Sequence, residues 1–125
     1  VQMGTRFVCA EECTVHENYK KAIIKAKDRS AVVTGRTTGH PVRVLKNKLT
    51  HQYDLLEQKG ATVEELEALG MGRLRAAVVD GDVEYGSVMS GQIAGMINDI
   101  KPASEIIKDI IQGAQTLLQK THTTF

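Results

Sequence analysis

Residues 1–7, Val1-Gln2-Met3-Gly4-Thr5-Arg6-Phe7, decide how the rest of the chain is read. Val1-Gln2-Met3 alternates apolar and polar side chains and Gly4-Thr5 ends the alternation, which predicts a short strand running into a glycine turn. A lone strand cannot satisfy its own backbone donors and acceptors, and each buried unpaired group costs about 1–3 kcal/mol. The other strand-like stretches, Ala31 to Gly35 and Val42 to Leu45, are not suited to flank a buried strand. The expectation is therefore that these residues are the C-terminal piece of something larger. Chemically the turn is a candidate phosphate cradle: glycine lets backbone N–H groups reach an anion, Thr5 adds a hydroxyl and Arg6 adds charge. A strand–Gly–Thr turn that holds no phosphate is the commoner arrangement, so the motif alone decides nothing.

Working outward, Thr14-x-x-Glu17 reads as a capping box opening a helix to about Lys27, with Tyr19, Ile23 and Ile24 at helical spacing. A short strand over 31–35 follows, and Gly39-His40-Pro41 punctuates. Leu45, Leu49, Tyr53 and Leu56 predict a helix to about Lys59, stopped by Gly60. A second box, Thr62-x-x-Glu65, opens a helix ending at Gly70, and Leu74 to Val79 predicts another. Gly86, Gly91 and Gly95 then fall within ten residues. Read as a helix over 87–97, this segment puts Gly91 and Gly95 on one face. Glycine costs a helix interior about 1 kcal/mol relative to alanine, so close approach of another backbone or of a flat ligand should compensate. Pro102 sits where a first-turn proline belongs, and the apolar residues from Ile106 to Leu118 predict an amphipathic helix to the tail.

The 125 residues allow one core, and 42% hydrophobic with 25% charged residues excludes disordered and low-complexity classes. Aromatic residues make up only 4%, too few for a platform that stacks single-stranded nucleic acid. No apolar run approaches a membrane span and no signal peptide is visible, so a cytoplasmic protein is expected. The net charge is +1, but Lys and Arg outnumber Asp and Glu by 11 to 6 through Gly60, and the ratio reverses to 5 against 9 afterwards. The basic front half suits an anionic partner or simply a solvated face. Cys9 and Cys13 are too few for a disulfide framework, and His16, His40, His51 and His122 lack ligand spacing, so no metal is expected.

Three separated motifs carry a resemblance: Val-Gln-Met-Gly-Thr-Arg-Phe at 1–7, Gly39-His40-Pro41-Val42-Arg43, and Gly81-Asp82 leading to Gly86-Ser87-Val-Met89-x-Gly91-Gln92-x-Ala94-Gly95. In that order and spacing they resemble the C-terminal part of the 2-nitropropane dioxygenase-like flavoproteins, which include nitronate monooxygenases and flavin-dependent enoyl-acyl carrier protein reductases. The resemblance implies an α/β fold, the C-terminal fragment of a TIM (β/α)8 barrel, with a mostly helical subdomain that covers the active site. Its implied division is 1–30 for the end of the barrel, 31–85 for the covering subdomain, and 86–125 for helices packing back on the barrel. Residues 2–5 would end the eighth strand, where barrel phosphate sites lie. Met3, Gly4 and Thr5 match the family's FMN phosphate turn and Gln2 its cofactor-contacting glutamine. Ser87 and Gln92 match the segment near the flavin and substrate pocket.

By the same resemblance, His40 and Arg43 would meet a nicotinamide nucleotide or an acyl carrier, and NAD(P)H would be the reductant. The family's main catalytic histidine would lie upstream, so no catalytic residue is assigned and the isolated chain is expected to be inactive. The implied function is part of an enoyl-acyl carrier protein reductase acting on a small-molecule or carrier-bound substrate, with a homodimer as a possible assembly. Nitronate monooxygenase is the alternative, and a non-catalytic helical interaction module is the reading from a different class.

Overall fold

A computed structural model describes residues 1–124. The element order is α1 (Thr5–Val8), α2 (Glu17–Lys25), β1 (Ala31–Thr34), a 3-10 turn (Arg36–Thr38), β2 (Val42–Leu45), α3 (Lys48–Gln58), α4 (Val63–Gly70), α5 (Arg73–Val78), a second 3-10 turn (Gln92–Met96) and α6 (Ala103–Thr124). β1 and β2 form an antiparallel hairpin with Ala31 opposite Leu45 and Thr34 opposite Val42. The β-branched run of 31–34 thus finds its partner locally, as its composition favours. The buried core cluster includes Cys9, Tyr19, Ile23, Leu45, Ala77, Val88, Ala94 and Ile97, drawn from along most of the chain.

The expected strand at 1–3 does not form. A strand is a pairing state, and no described residue pairs with these three. Gly4 instead caps α1, its carbonyl accepting from Phe7 N at 2.9 Å and Val8 N at 3.2 Å. The Thr14–Glu17 box is also not the one used. His16 is the N-cap of α2, its Nδ1 accepting from Asn18 N at 3.0 Å, while its own amide donates to the Val78 carbonyl at 2.8 Å. A long-range bond outcompetes the local motif there. The α2 helix ends at Lys25, two residues early, because Ala26 is extended. Likewise α3 starts at Lys48 rather than near Leu45: the hairpin claims Val42–Leu45, and Asn47 with Thr50 makes the capping box. The Thr62–Glu65 box forms as its sequence predicts.

Residues 87–97 are not a helix. Leu45 N donates to the Val88 carbonyl at 2.9 Å, Ser90 N donates to the Arg43 carbonyl at 3.2 Å, and Met89 bridges Val44. The segment therefore extends along β2, and only Gln92–Met96 coils, as a 3-10 turn. Two glycines, Gly91 and Gly95, weaken the helical option while β2 offers an edge, which decides the competition. The close backbone approach expected of these glycines does hold at Gly95. A Cβ there would lie 2.8 Å from the Lys27 carbonyl carbon and 2.9 Å from Asp28 N.

The chain leaves its N-terminal turn near residue 12 and returns beside it near residue 99. Ala10 bridges Lys101, Glu11 N donates to the Lys101 carbonyl at 3.1 Å, and the Glu12 carboxylate accepts from Ala103 N at 2.9 Å, capping α6. Buried Lys20 ties the same corner, its Nζ donating to the Ala10 carbonyl at 2.7 Å and to the Glu11 carbonyl at 3.4 Å. The Ala103 amide holds the Glu12 carboxyl below its ordinary value of 4.5. A lowered folded-state value means this contribution is present above the unfolded value and is lost as pH falls through the folded one. Between about pH 6 and pH 3, Glu12→Gln is expected to flatten part of the fall in melting temperature with pH. Parallel melting curves across that range would argue against the cap.

Candidate functional site

Two of the expected site segments meet. Gly91 N donates to Thr5 Oγ1 at 2.9 Å, joining the N-terminal turn to the glycine-rich segment across 86 positions of sequence. Thr5 is held as an acceptor and keeps its hydroxyl proton to donate. Gly4 has φ −110°, a value open to any residue, so its glycine is not required by backbone geometry. What it provides is space: a Cβ there would meet nothing within 4 Å. The Thr5 and Arg6 amides begin α1 and have no acceptor among the described residues.

Arg6 does not add a free charge to this turn. Its guanidinium donates to the Asp99 carbonyl at 2.9 Å and to the Asp99 carboxylate at 2.6 Å, so the charge is largely compensated and the turn is tied to the approach to α6. Gln2 and Met3 are exposed, and Met3 lines an apolar cavity with Val1, Phe7 and Ile107. Gln92 is exposed on the second 3-10 turn. Two residues before it in the chain, Ser90 Oγ is buried without a hydrogen-bond partner among the described residues.

Ser87 and His40 mark a second location. Ser87 lines a cavity of about 130 Å³ with Thr34, Tyr53 and Arg73, while His40 lines an adjoining cavity of about 180 Å³. Thr34, Val42 and Tyr53 line both. Arg43 is half-buried in β2, opposite Val33.

Several residues that position these groups carry no local signature. Tyr19 donates its hydroxyl to the Met89 carbonyl at 2.6 Å, and burial pushes its pKa up to about 12, so it remains a donor at neutral pH. Asn47 Nδ2 donates to the Val83 carbonyl at 2.9 Å and the Gly86 carbonyl at 2.8 Å. Together they pin the start of the glycine-rich segment. Among the described residues no group of three His, Cys, Asp or Glu side chains is placed to hold a metal ion, and no helix is long and apolar enough to cross a membrane.

The turn fits one part of a flavin mononucleotide, its phosphate: open space at Gly4, two unclaimed amides and one hydroxyl that can still donate.

The family model described as nitronate monooxygenase matches residues 1–113. The chain belongs to this family. Among solved structures, FabK from Thermotoga maritima matches with a TM-score of 0.94 and 43% identity, covering 100% of this chain and 40% of that one. A curated relative from Mycobacterium tuberculosis, (3aS,4S,5R,7aS)-5-hydroxy-7a-methyl-1-oxo-octahydro-1H-indene-4-carboxyl-CoA dehydrogenase, is 28% identical over 95% of this chain and 44% of its own length. A probable nitronate monooxygenase of Staphylococcus saprophyticus is 25% identical over 96% of this chain and 34% of its own length. The chain thus spans less than half of the length of these relatives. They are oxidoreductases, and the mixed α/β architecture matches part of FabK.

Proposed function

We propose that this chain is the C-terminal portion of an FMN-dependent oxidoreductase that uses NAD(P)H to reduce the double bond of an enoyl thioester on acyl carrier protein. The observation that carries the reading is the 43% identity to FabK across the whole chain, against 25% to the probable nitronate monooxygenase of Staphylococcus saprophyticus. FabK is an enoyl-acyl carrier protein reductase with a TIM barrel. In this reading residues 1–30 close the barrel, 31–85 form a covering subdomain, and 86–125 return to the barrel wall.

Gly4 and Thr5 would receive the FMN phosphate on backbone amides and the Thr5 hydroxyl, with Gln2 and Met3 alongside. Gly91 orients that hydroxyl, and Ser87 and Gln92 belong to the segment leading toward the ring. His40 and Arg43 would meet the nicotinamide nucleotide or the acyl carrier. The flavin, when bound, supplies hydride transfer to the thioester's β-carbon, and the protein orients the partners. A phosphate turn holds one end of such a cofactor, whereas the ring needs walls for burial and alignment. The 125 residues alone are therefore expected to retain no FMN and to show no turnover.

The second reading, nitronate monooxygenase, is favoured by the family model and by several curated relatives. One assay separates them in the full-length protein. Oxidation of NAD(P)H that depends on a crotonyl thioester is the expected result. Oxygen consumption with a nitronate and no need for nicotinamide would replace the reductase with the monooxygenase.

A further inference from the structure

Beneath the β1–β2 hairpin, the cavity of about 130 Å³ is lined by residues from distant parts of the chain, among them Thr34, Tyr53, Arg73 and Ser87. Arg73 is half-buried; its backbone carbonyl accepts from Ser87 N at 2.9 Å, and the one hydrogen bond of its side chain among the described residues is Nε donating to the Leu69 carbonyl at 3.1 Å. Among the described residues its terminal guanidinium nitrogens face no carboxylate in an ion pair, and none of the residues lining this cavity is acidic. Thr34 is only 3% exposed, yet its hydroxyl has no hydrogen-bond partner among the described residues. It is not one of the fully enclosed orphan atoms, so its oxygen keeps access to the open space that Thr34 lines. The Ser87 hydroxyl likewise has no hydrogen-bond partner among the described residues, and the Tyr53 phenol donates its proton to the Leu66 carbonyl at 3.3 Å.

A buried hydroxyl without a partner carries a desolvation cost, and an unpaired guanidinium in a cleft keeps its donor fork available. Both are met by one kind of ligand: a compact oxyanion that accepts from Arg73, Thr34 and Ser87. We propose that this cavity is a phosphoryl-binding subsite, with Arg73 supplying the charge and Thr34 and Ser87 the neutral donors. The adjoining cavity of about 180 Å³, which reaches His40 and shares Thr34, Val42 and Tyr53, gives an attached sugar somewhere to extend. Gly70 keeps the wall in place, because a Cβ there would collide with the Tyr53 hydroxyl.

Two sources share this chemistry, free orthophosphate and the 2′-phosphate of a nicotinamide nucleotide. The second rests on the reductase reading above, and would make Arg73 a residue that selects NADPH over NADH. Calorimetric titration of the full-length protein with inorganic phosphate, 2′,5′-ADP and 5′-AMP distinguishes them without any turnover. The expected result is that 2′,5′-ADP binds more tightly than 5′-AMP and that Arg73→Gln weakens it by about tenfold or more, leaving 5′-AMP unchanged. Should Arg73-dependent binding be confined to inorganic phosphate, the subsite stands with the free anion as its ligand.

Thr34→Val keeps the side-chain shape and supplies the control. It is expected to weaken the phosphorylated ligand by about threefold to tenfold with no loss of melting temperature, since the deleted hydroxyl has no partner among the described residues. Binding of inorganic phosphate and of 2′,5′-ADP that is indifferent to Arg73→Gln and Thr34→Val overturns the subsite, even in a preparation that reduces enoyl thioesters. A preparation that lacks reductase activity but binds phosphate through Arg73 keeps the subsite and removes only the reductase reading.

Discussion

Gly86→Ala is expected to destabilise the protein by about 3 kcal/mol, lowering the melting temperature by roughly 10 °C. A Cβ at this buried glycine would collide with the Asp82 carbonyl and lie 2.8 Å from both Ala77 N and Ala77 Cβ. None of these can yield cheaply. The Asp82 carbonyl accepts from Gly86 N at 3.0 Å, Ala77 is fully buried on α5, and Asn47 holds the Gly86 carbonyl at 2.8 Å. Gly113→Ala gives the opposite sign. Gly113 lies inside α6, with nothing within 4 Å of its added Cβ, so the helix gains about 1 kcal/mol from the better helix former. Denaturant melts of the two variants check both signs, and a neutral Gly86→Ala would show that the turn at 82–86 yields more readily than its contacts indicate.

These two glycines show where reading the sequence stops. Nothing local distinguishes them; their difference lies in neighbours that the fold brings close. Thr62 and Glu65 could be read as a cap because the two halves of that device are three residues apart and depend on nothing else. Thr14 and Glu17 carry the same pattern, but His16 is anchored by Val78 from far along the chain, which shifts the cap by two residues. Spacing suggested a glycine helix at 87–97, whereas the edge of β2 is a long-range partner that spacing cannot register. The same limit applies to the sites. Gly4 and Thr5 form a local motif and were legible. Thr34, Tyr53 and Arg73 come from β1, α3 and α5, and only the folded chain makes them neighbours.

The second large effect is expected at Gly4. Gly4→Val in the full-length protein should lower FMN affinity by about a hundredfold, the loss of roughly two hydrogen bonds to a charged phosphate. The branched side chain occupies the open side of the turn, where the phosphate must come within reach of the Thr5 and Arg6 amides. A Cβ at position 4 meets nothing within 4 Å in this chain, so the expected cost in stability is that of the weaker N-cap, about 1 kcal/mol. A large loss of flavin with a small change in melting temperature separates a binding defect from a folding defect. Flavin retention through gel filtration and the thermal melt, taken on the same sample, report the two.

The central proposal is that the Gly4-Thr5 turn, braced by Gly91, receives the FMN phosphate, and comparing FMN with riboflavin tests it most directly. The two ligands share the ring and differ in the group assigned to this turn. Titrated into flavin-free full-length protein, FMN is expected to bind far more tightly than riboflavin in the wild type. In Gly4→Val that preference should collapse, with FMN falling toward riboflavin while riboflavin itself changes little. A variant that binds FMN over riboflavin with the wild-type ratio would place the phosphate elsewhere and contradict the account.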